Sequence, residues 1–260
     1  MLTSFFEAVR FLTLIPLPFM PATTGDNYEQ TIARSMVWFP AVGLLIGGLA
    51  SAIGLIAGVV WTELVRAVMI VVVIGIITSG LHLDGLSDTF DAVMSWRSRE
   101  RKLEIMKDSR IGAMGAIALV VIIALKIAFI TAAGTSWWRA VLISTTLGRW
   151  ADIYGIFVFP SAREGGLGRN FRDFIQRDAF VFATVQAMVI LLVVALIGQP
   201  LSLWPVLLVR DAIMLIVLFV ANHTLCAWWT RSLGGLTGDT YGALCEISEV
   251  VVLAAMSAVA

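Results

Sequence analysis

The feature that most constrains this 260-residue chain is a series of apolar runs separated by short breaks, each run long enough to cross about 30 Å of hydrocarbon. Seven such runs lie near 36–60, 64–82, 111–133, 137–159, 179–198, 203–224 and 240–260. Inside a bilayer every backbone N–H and C=O must be satisfied within the protein, so these runs are expected to be helices. The breaks at Trp61-Thr62-Glu63, Gly134-Thr135-Ser136 and Gln199-Pro200 are so brief that the runs they separate should form helical hairpins. Only 14% of residues are charged, whereas soluble domains have about 25%. The expected fold is therefore all-α: a polytopic membrane bundle of about seven transmembrane helices, with residues 1–260 forming a single membrane-embedded domain. Net charge is zero, which gives no general attraction to nucleic acid.

Residues 1–20 carry Glu7 and Arg10 and are broken by Pro16 and Pro18, so they predict an interfacial amphipathic segment rather than a cleavable signal. Residues 21–33 are polar, with Gly25-Asp26-Asn27 as a turn. Cys226 and Cys245 fit no redox or metal-ligand spacing and read as small hydrophobes. Positive charge gathers in two of the longer loops, with Arg97, Arg99, Arg101, Lys102, Lys107 and Arg110 in one and Arg163, Arg169, Arg172 and Arg177 in the next. Arg231 lies in a third. The positive-inside rule puts these loops and the N-terminus in the cytoplasm.

The stretch His82-Leu83-Asp84-Gly85-Leu86-Ser87-Asp88-Thr89-Phe90-Asp91 follows an apolar run and precedes the first basic loop. On a helix, Asp84, Asp88 and Asp91 share one face at i, i+4, i+7 and repel one another unless a cation lies between them. Hard oxygen ligands of this kind favour Mg²⁺ or Mn²⁺. A solvated, helix-capping acidic segment is the plainer alternative. Gly85 permits close backbone approach. His82 can bind metal or move a proton, or serve only as a hydrogen-bonding neighbour.

Three further constellations accompany this stripe. Lys107, Asp108 and Arg110 precede Gly112 and Gly115 at the opening of a span, where a helix N-terminus with nearby cations suits a phosphate group. Asp108 serves equally as a metal ligand or a cap. The mixed charges before them, from Arg97 to Glu104, predict a solvated or lipid-facing helix. Arg149 and Asp152, at the depth of Lys126, are costly intramembrane charges that can neutralise each other at i, i+3, and Arg210-Asp211 is a similar pair. Finally, Asp239 and Glu246 share a face at the start of the last span, with Glu249 beyond and Gly235, Gly238 and Gly242 clearing space. They read as a second set of ligands, against a glycine-rich loop with a capping Asp. Acids for metal and cations for phosphate on one membrane face suggest phosphoryl or nucleotidyl transfer.

The blocks HLDGLSDTFDA at 82–92, EIMKDSRIGAMGAIAL at 104–119, GRW at 148–150 and GGLTGDTYGALCEISE at 234–249 resemble the cobalamin (5′-phosphate) synthase family, also called adenosylcobinamide-GDP ribazoletransferases. FLTLIPLP near the start and RSMVWFPAVGLLIG at 34–47 extend the resemblance over nearly the whole chain. Ala92 stands where relatives commonly carry glycine. The resemblance implies a Mg²⁺-dependent enzyme of the bacterial inner membrane. Its substrates would be adenosylcobinamide-GDP and α-ribazole or its 5′-phosphate, and GMP would be the leaving group. It implies Asp84, Asp88 and Asp91 as metal ligands, one of them also taking the hydroxyl proton. Asp239 and Glu246 follow for metal or substrate, and Lys107, Arg110 and Arg149 for phosphate. A second copy of the chain, or other corrinoid-pathway enzymes docking on the basic loops, are the expected protein partners. A CDP-alcohol phosphotransferase acting on lipid is the nearest rival, but the Gly-x-x-x-Asp-x-x-x-Asp block of that family does not occur here. A transporter would place its polar residues at the midplane rather than on one face.

Overall fold

The computed structural model describes residues 2–18, 28–163, 165 and 167–258; the expected turn at Gly25-Asp26-Asn27 lies outside them. The described chain is helical: α1 (Leu2–Leu12), α2 (Tyr28–Ser35), α3 (Phe39–Val60), α4 (Glu63–Ile77), α5 (Leu81–Val93), α6 (Arg99–Ile105), α7 (Ala113–Ala132), α8 (Trp137–Val158), α9 (Leu167–Phe174), α10 (Arg177–Leu196), α11 (Trp204–Leu233) and α12 (Gly238–Ser257). Among the described residues, five helices are long and apolar enough to cross a membrane, or six if α4 and α5 count as one broken span. To these α8 adds a 22-residue helix, about 33 Å long. Its hydropathy is lowered by Ser144, Thr145, Thr146, Arg149 and Asp152, all buried.

α8 is the centre of the bundle, flanked by α3 and α12. Its position depends on small residues: a Cβ at Gly43 of α3 would strike the backbone at Thr145 and Thr146, and one at Gly148 would strike Glu249 and Cys245 of α12. The outward faces of the other helices carry Val59, Val120, Val185, Val209 and Ile216 to the surface. Such exposed aliphatic side chains suit a lipid surround.

Two expected boundaries differ. The run expected at 64–82 stops at Ile77, and α5 leaves at 89° to α4. The break is Thr78-Ser79-Gly80, where Ser79 and Gly80 have φ of 53° and 66°, left-handed values that no helix continues through. The run expected at 203–224 continues to Leu233, a 30-residue helix of about 45 Å, longer than the hydrocarbon it crosses. Its extra turns carry Arg231 out to the loops.

The three longer loops meet at one end of the bundle. Arg99 donates to the carbonyls of Leu233 (2.6 Å) and Ala162 (3.1 Å), and Lys102 Nζ lies 2.8 Å from Ser232 Oγ. Those two cations of the expected solvated helix are thus spent on holding loops together. Ser161 and Leu236 form an isolated parallel bridge that fixes the 160–163 loop beside the start of α12. At the same end α1 packs on α2 and α3, with Ala8, Val9 and Leu12 buried.

Candidate active site

The site forms where α5 and α12 run against each other. A Cβ at Gly85 would lie 2.7 Å from the carbonyl oxygen of Asp239, and one at Gly242 would lie 3.1 Å from the backbone of His82. Glycine on both helices lets the backbones touch, and this contact carries Asp84 alongside Asp239. Between them and α1, α3, α8 and α9 opens a cleft of about 220 Å³. Its polar wall holds Asp84, Asp239, His82 and Asp152; its apolar wall holds Phe11, Leu12, Phe39, Ile156 and Phe171.

The predicted acidic stripe does lie on one helix, but its members are used differently. Asp84 is exposed and lines the cleft. Asp88 is half-buried and feels the like charges of Asp84, Asp239 and Asp91, opposed among the described residues by Arg163. Asp91 is turned away onto α7. Its carboxylate accepts the backbone N–H groups of Gly112 (2.7 Å) and Gly115 (2.8 Å). The helix start that the sequence offered to a phosphate is therefore filled by a carboxylate of the chain itself, which satisfies its orphan donors and its dipole. The two glycines serve the same contact, since a Cβ at either would strike the Asp91 carboxylate.

The neighbouring cations are also placed differently from the phosphate reading. Asp108 does not cap α7; Arg110 grips it through Nε and Nη2, at 3.0 and 2.6 Å. That exposed pair, with its hydrogen bonds from Arg110, holds the Asp108 carboxyl down at about 2. Lys107 is exposed beside it.

Deeper, Arg149 and Asp152 do not neutralise each other. Arg149, fully buried, is ion-paired with Glu249 of α12, and Lys126 Nζ of α7 bridges Glu246 (2.5 Å) and Glu249 (2.6 Å). Glu246 thus belongs to a closed network of buried ion pairs rather than to the acids around the cleft. Arg149 is likewise removed from the groups a phosphate can touch. Asp152 instead faces His82, with Oδ2 3.5 Å from Nε2. Arg210 and Asp211 do pair with each other, at 2.7 Å.

Two further residues, one beside the cleft and one lining it, were not singled out from sequence. Arg163 stands 3.6 Å from Asp239, with Nε and Nη2 buried and lacking hydrogen-bond partners among the described residues. Tyr241 lines the cleft with its hydroxyl buried and unpartnered. Arg163 was one basic loop residue among several, and only the Ser161–Leu236 bridge selects it. Tyr241 had a legible signal in its place between Asp239 and Gly242.

The fold and the cleft define a polytopic helical membrane protein with an acid-lined pocket where its longer loops converge. Within that class the chain belongs to the cobalamin-5-phosphate synthase family, whose match spans residues 4–257. It is 53% identical over 251 residues to an adenosylcobinamide-GDP ribazoletransferase of Roseiflexus sp. (strain RS-1), covering 96% of this chain and 88% of the relative. Relatives of the same name in Herpetosiphon aurantiacus and Desulforamulus reducens are 50% and 38% identical, each covering 97% of this chain and 95% of the relative. No solved structure matches.

Proposed function

We propose that the chain is an adenosylcobinamide-GDP ribazoletransferase and that the cleft between α5 and α12 is its active site. The observation that carries this assignment of the site is the meeting of Asp84 and Asp239 across the Gly85 contact, on the wall of a cleft with an apolar side. The ribose hydroxyl of α-ribazole, or of its 5′-phosphate, attacks the phosphorus attached to cobinamide. A new P–O bond forms to the ribose, the bond to the GMP oxygen breaks, and GMP leaves. Asp84, the exposed acid, is best placed to take the hydroxyl proton.

Asp84, Asp88 and Asp239 would hold a Mg²⁺ or Mn²⁺ ion. Their charges crowd one another with one weakly placed arginine among them, and a hard oxygen donor set of this kind suits such a cation. When bound, the ion would neutralise phosphate oxygens and stabilise the departing phosphate. Asp91 would orient this set by fixing α5 to α7. Arg163 orients the diphosphate at the cleft mouth, and Lys107 and Arg110 attract it from the rim. Phe11, Phe39 and Phe171 give an apolar bed for the corrin or benzimidazole ring. The basic loops at this end favour a cytoplasm-facing cleft in the bacterial inner membrane. A second copy or another corrinoid-pathway enzyme would dock on those loops.

The test is turnover of the full chain in lipid with adenosylcobinamide-GDP and α-ribazole 5′-phosphate, with and without Mg²⁺. GMP release that needs both the metal and the acceptor is expected. Absence of release with any divalent metal would overturn the reading and favour a lipid phosphotransferase.

A further inference from the structure

We propose that His82, Asp152 and Cys245 form a binding site for a zinc-class divalent ion, distinct from the aspartates of the cleft mouth. The three residues come from α5, α8 and α12, and each is at least nine-tenths buried. A ring nitrogen, a carboxylate oxygen and the sulfur all lie within 4.8 Å of one another; among the described residues no other group of three such ligands does so. The aspartates of the stripe do not converge in this way.

The spacing separates a metal site from a hydrogen-bonded pair. His82 Nε2 and Asp152 Oδ2 are 3.5 Å apart, beyond the 2.7–3.2 Å of an N–H···O bond. Two ligands of a tetrahedral ion with bonds near 2.0–2.1 Å stand roughly 3.3–3.5 Å apart. His82 Nδ1 and Asp152 Oδ1 are buried with no partner among the described residues, an arrangement that is costly unless something else satisfies the cluster.

Charge points the same way. Among the described residues, the buried Lys126 and Arg149 are taken up by Glu246 and Glu249, which leaves Asp152 as the buried carboxyl of this region with no cation of its own. A divalent ion would displace the Cys245 thiol proton, which leaves to solvent, and its two charges would offset the thiolate and the remaining carboxylate. Mixed N, O and S donors select a borderline-soft ion rather than Mg²⁺. His82 and Asp152 also line the cleft, so the fourth position is open to water or to an oxygen of a bound ligand, as in catalytic zinc sites.

The experiment uses the full chain in lipid nanodiscs, stripped with a chelator and reloaded with Zn²⁺ or Co²⁺. Metal analysis should give one tightly held zinc per chain. The cobalt form should show thiolate-to-metal charge transfer and intense tetrahedral bands. Cys245→Ser and Asp152→Asn should each lower zinc affinity by more than the roughly 10- to 100-fold that loss of an outer partner costs. Asp84→Asn should leave zinc content unchanged, so the result is independent of whether the cleft acids hold Mg²⁺. A wild-type cobalt spectrum without charge transfer would overturn the proposal even if a variant failed to fold. Equal zinc content in wild type and Cys245→Ser, or loss of zinc in Asp84→Asn, would overturn it as well.

Discussion

Two groups of charged residues meet on the last helix, α12, and have opposite fates. At the mouth, Asp88 feels the charges of Asp84 and Asp239, and among the described residues the cation beside them is Arg163, 3.6 Å from Asp239. About two to three turns further along α12, Glu246 and Glu249 are closed by Lys126 and Arg149 in contacts that leave almost no surface. Concentrating like charge without partners opposes folding unless a ligand completes the site. Pairing every charge in a dry interior fixes helices and offers a ligand nothing. The last span therefore carries both kinds of acid: Asp239 faces the cleft, Glu246, seven residues on, holds α12 to α7, and Glu249 holds it to both α7 and α8.

The sharpest way to break this contrast is Lys126→Ala. It strands Glu246 and Glu249 with Arg149 alone, and loss of one partner from a buried pair costs about 3–5 kcal/mol. We expect most of the chain to lose its monodisperse folded form, measured by thermal unfolding in detergent. A melting temperature close to wild type would show that the deep acids are not structural. Asp84→Asn should do the reverse. Turnover should fall by about 10²-fold or more, the scale for loss of a group that stabilises transition-state charge, while the melting temperature holds. If both fell together, mouth and interior would be one structural unit.

Asp91 lies between these extremes. Asp91→Asn keeps one acceptor oxygen and loses a charge-assisted bond to the start of α7, a loss of about 1.5–3 kcal/mol. Gly115→Ala forces a methyl into the same carboxylate and Ser87, with an overpacking cost of about 1–3 kcal/mol. Each should lower the melting temperature more than Asp84→Asn does. An unchanged melting temperature in both would free Asp91 to act as a ligand on equal terms with Asp84.

These assignments follow a division between what local sequence determines and what distant pairing determines. The helices and the α3–α4 hairpin were legible because hydrophobic runs and short breaks act locally, and the stripe was legible because three acids at helical spacing must share a face. The bend before α5 had a local signal in Thr78-Ser79-Gly80, but the surrounding apolar run masked it. The partners of Lys126 lie 120 and 123 residues away, and that of Arg149 lies 100 away. The i, i+3 pairing of Arg149 with Asp152 was the best choice available locally, and tertiary packing replaced it. Gly112 and Gly115 read as a ligand cradle for the same reason. Sequence shows that something anionic fits there, but only the fold shows that the anion is Asp91.

The mildest change expected is at the mouth, and it separates two kinds of arginine. Arg163 has buried nitrogens without hydrogen-bond partners among the described residues and faces Asp239 across 3.6 Å, so a diphosphate entering the cleft would gain a donor already in place. Arg110 is 87% exposed and already bound to Asp108. Because Asp108 stays ionised down to about pH 2, a phosphate must compete with that carboxylate for Arg110 at any working pH. Arg163→Gln should therefore raise KM for adenosylcobinamide-GDP by about fivefold, near 1 kcal/mol, with kcat almost unchanged. Arg110→Gln should raise it less, and the difference should shrink with added salt as rim attraction is screened. Steady-state kinetics on the two variants at two salt concentrations decides the order. A larger effect for Arg110 would move the diphosphate out of the cleft and onto the rim beside α7, where the sequence first suggested it.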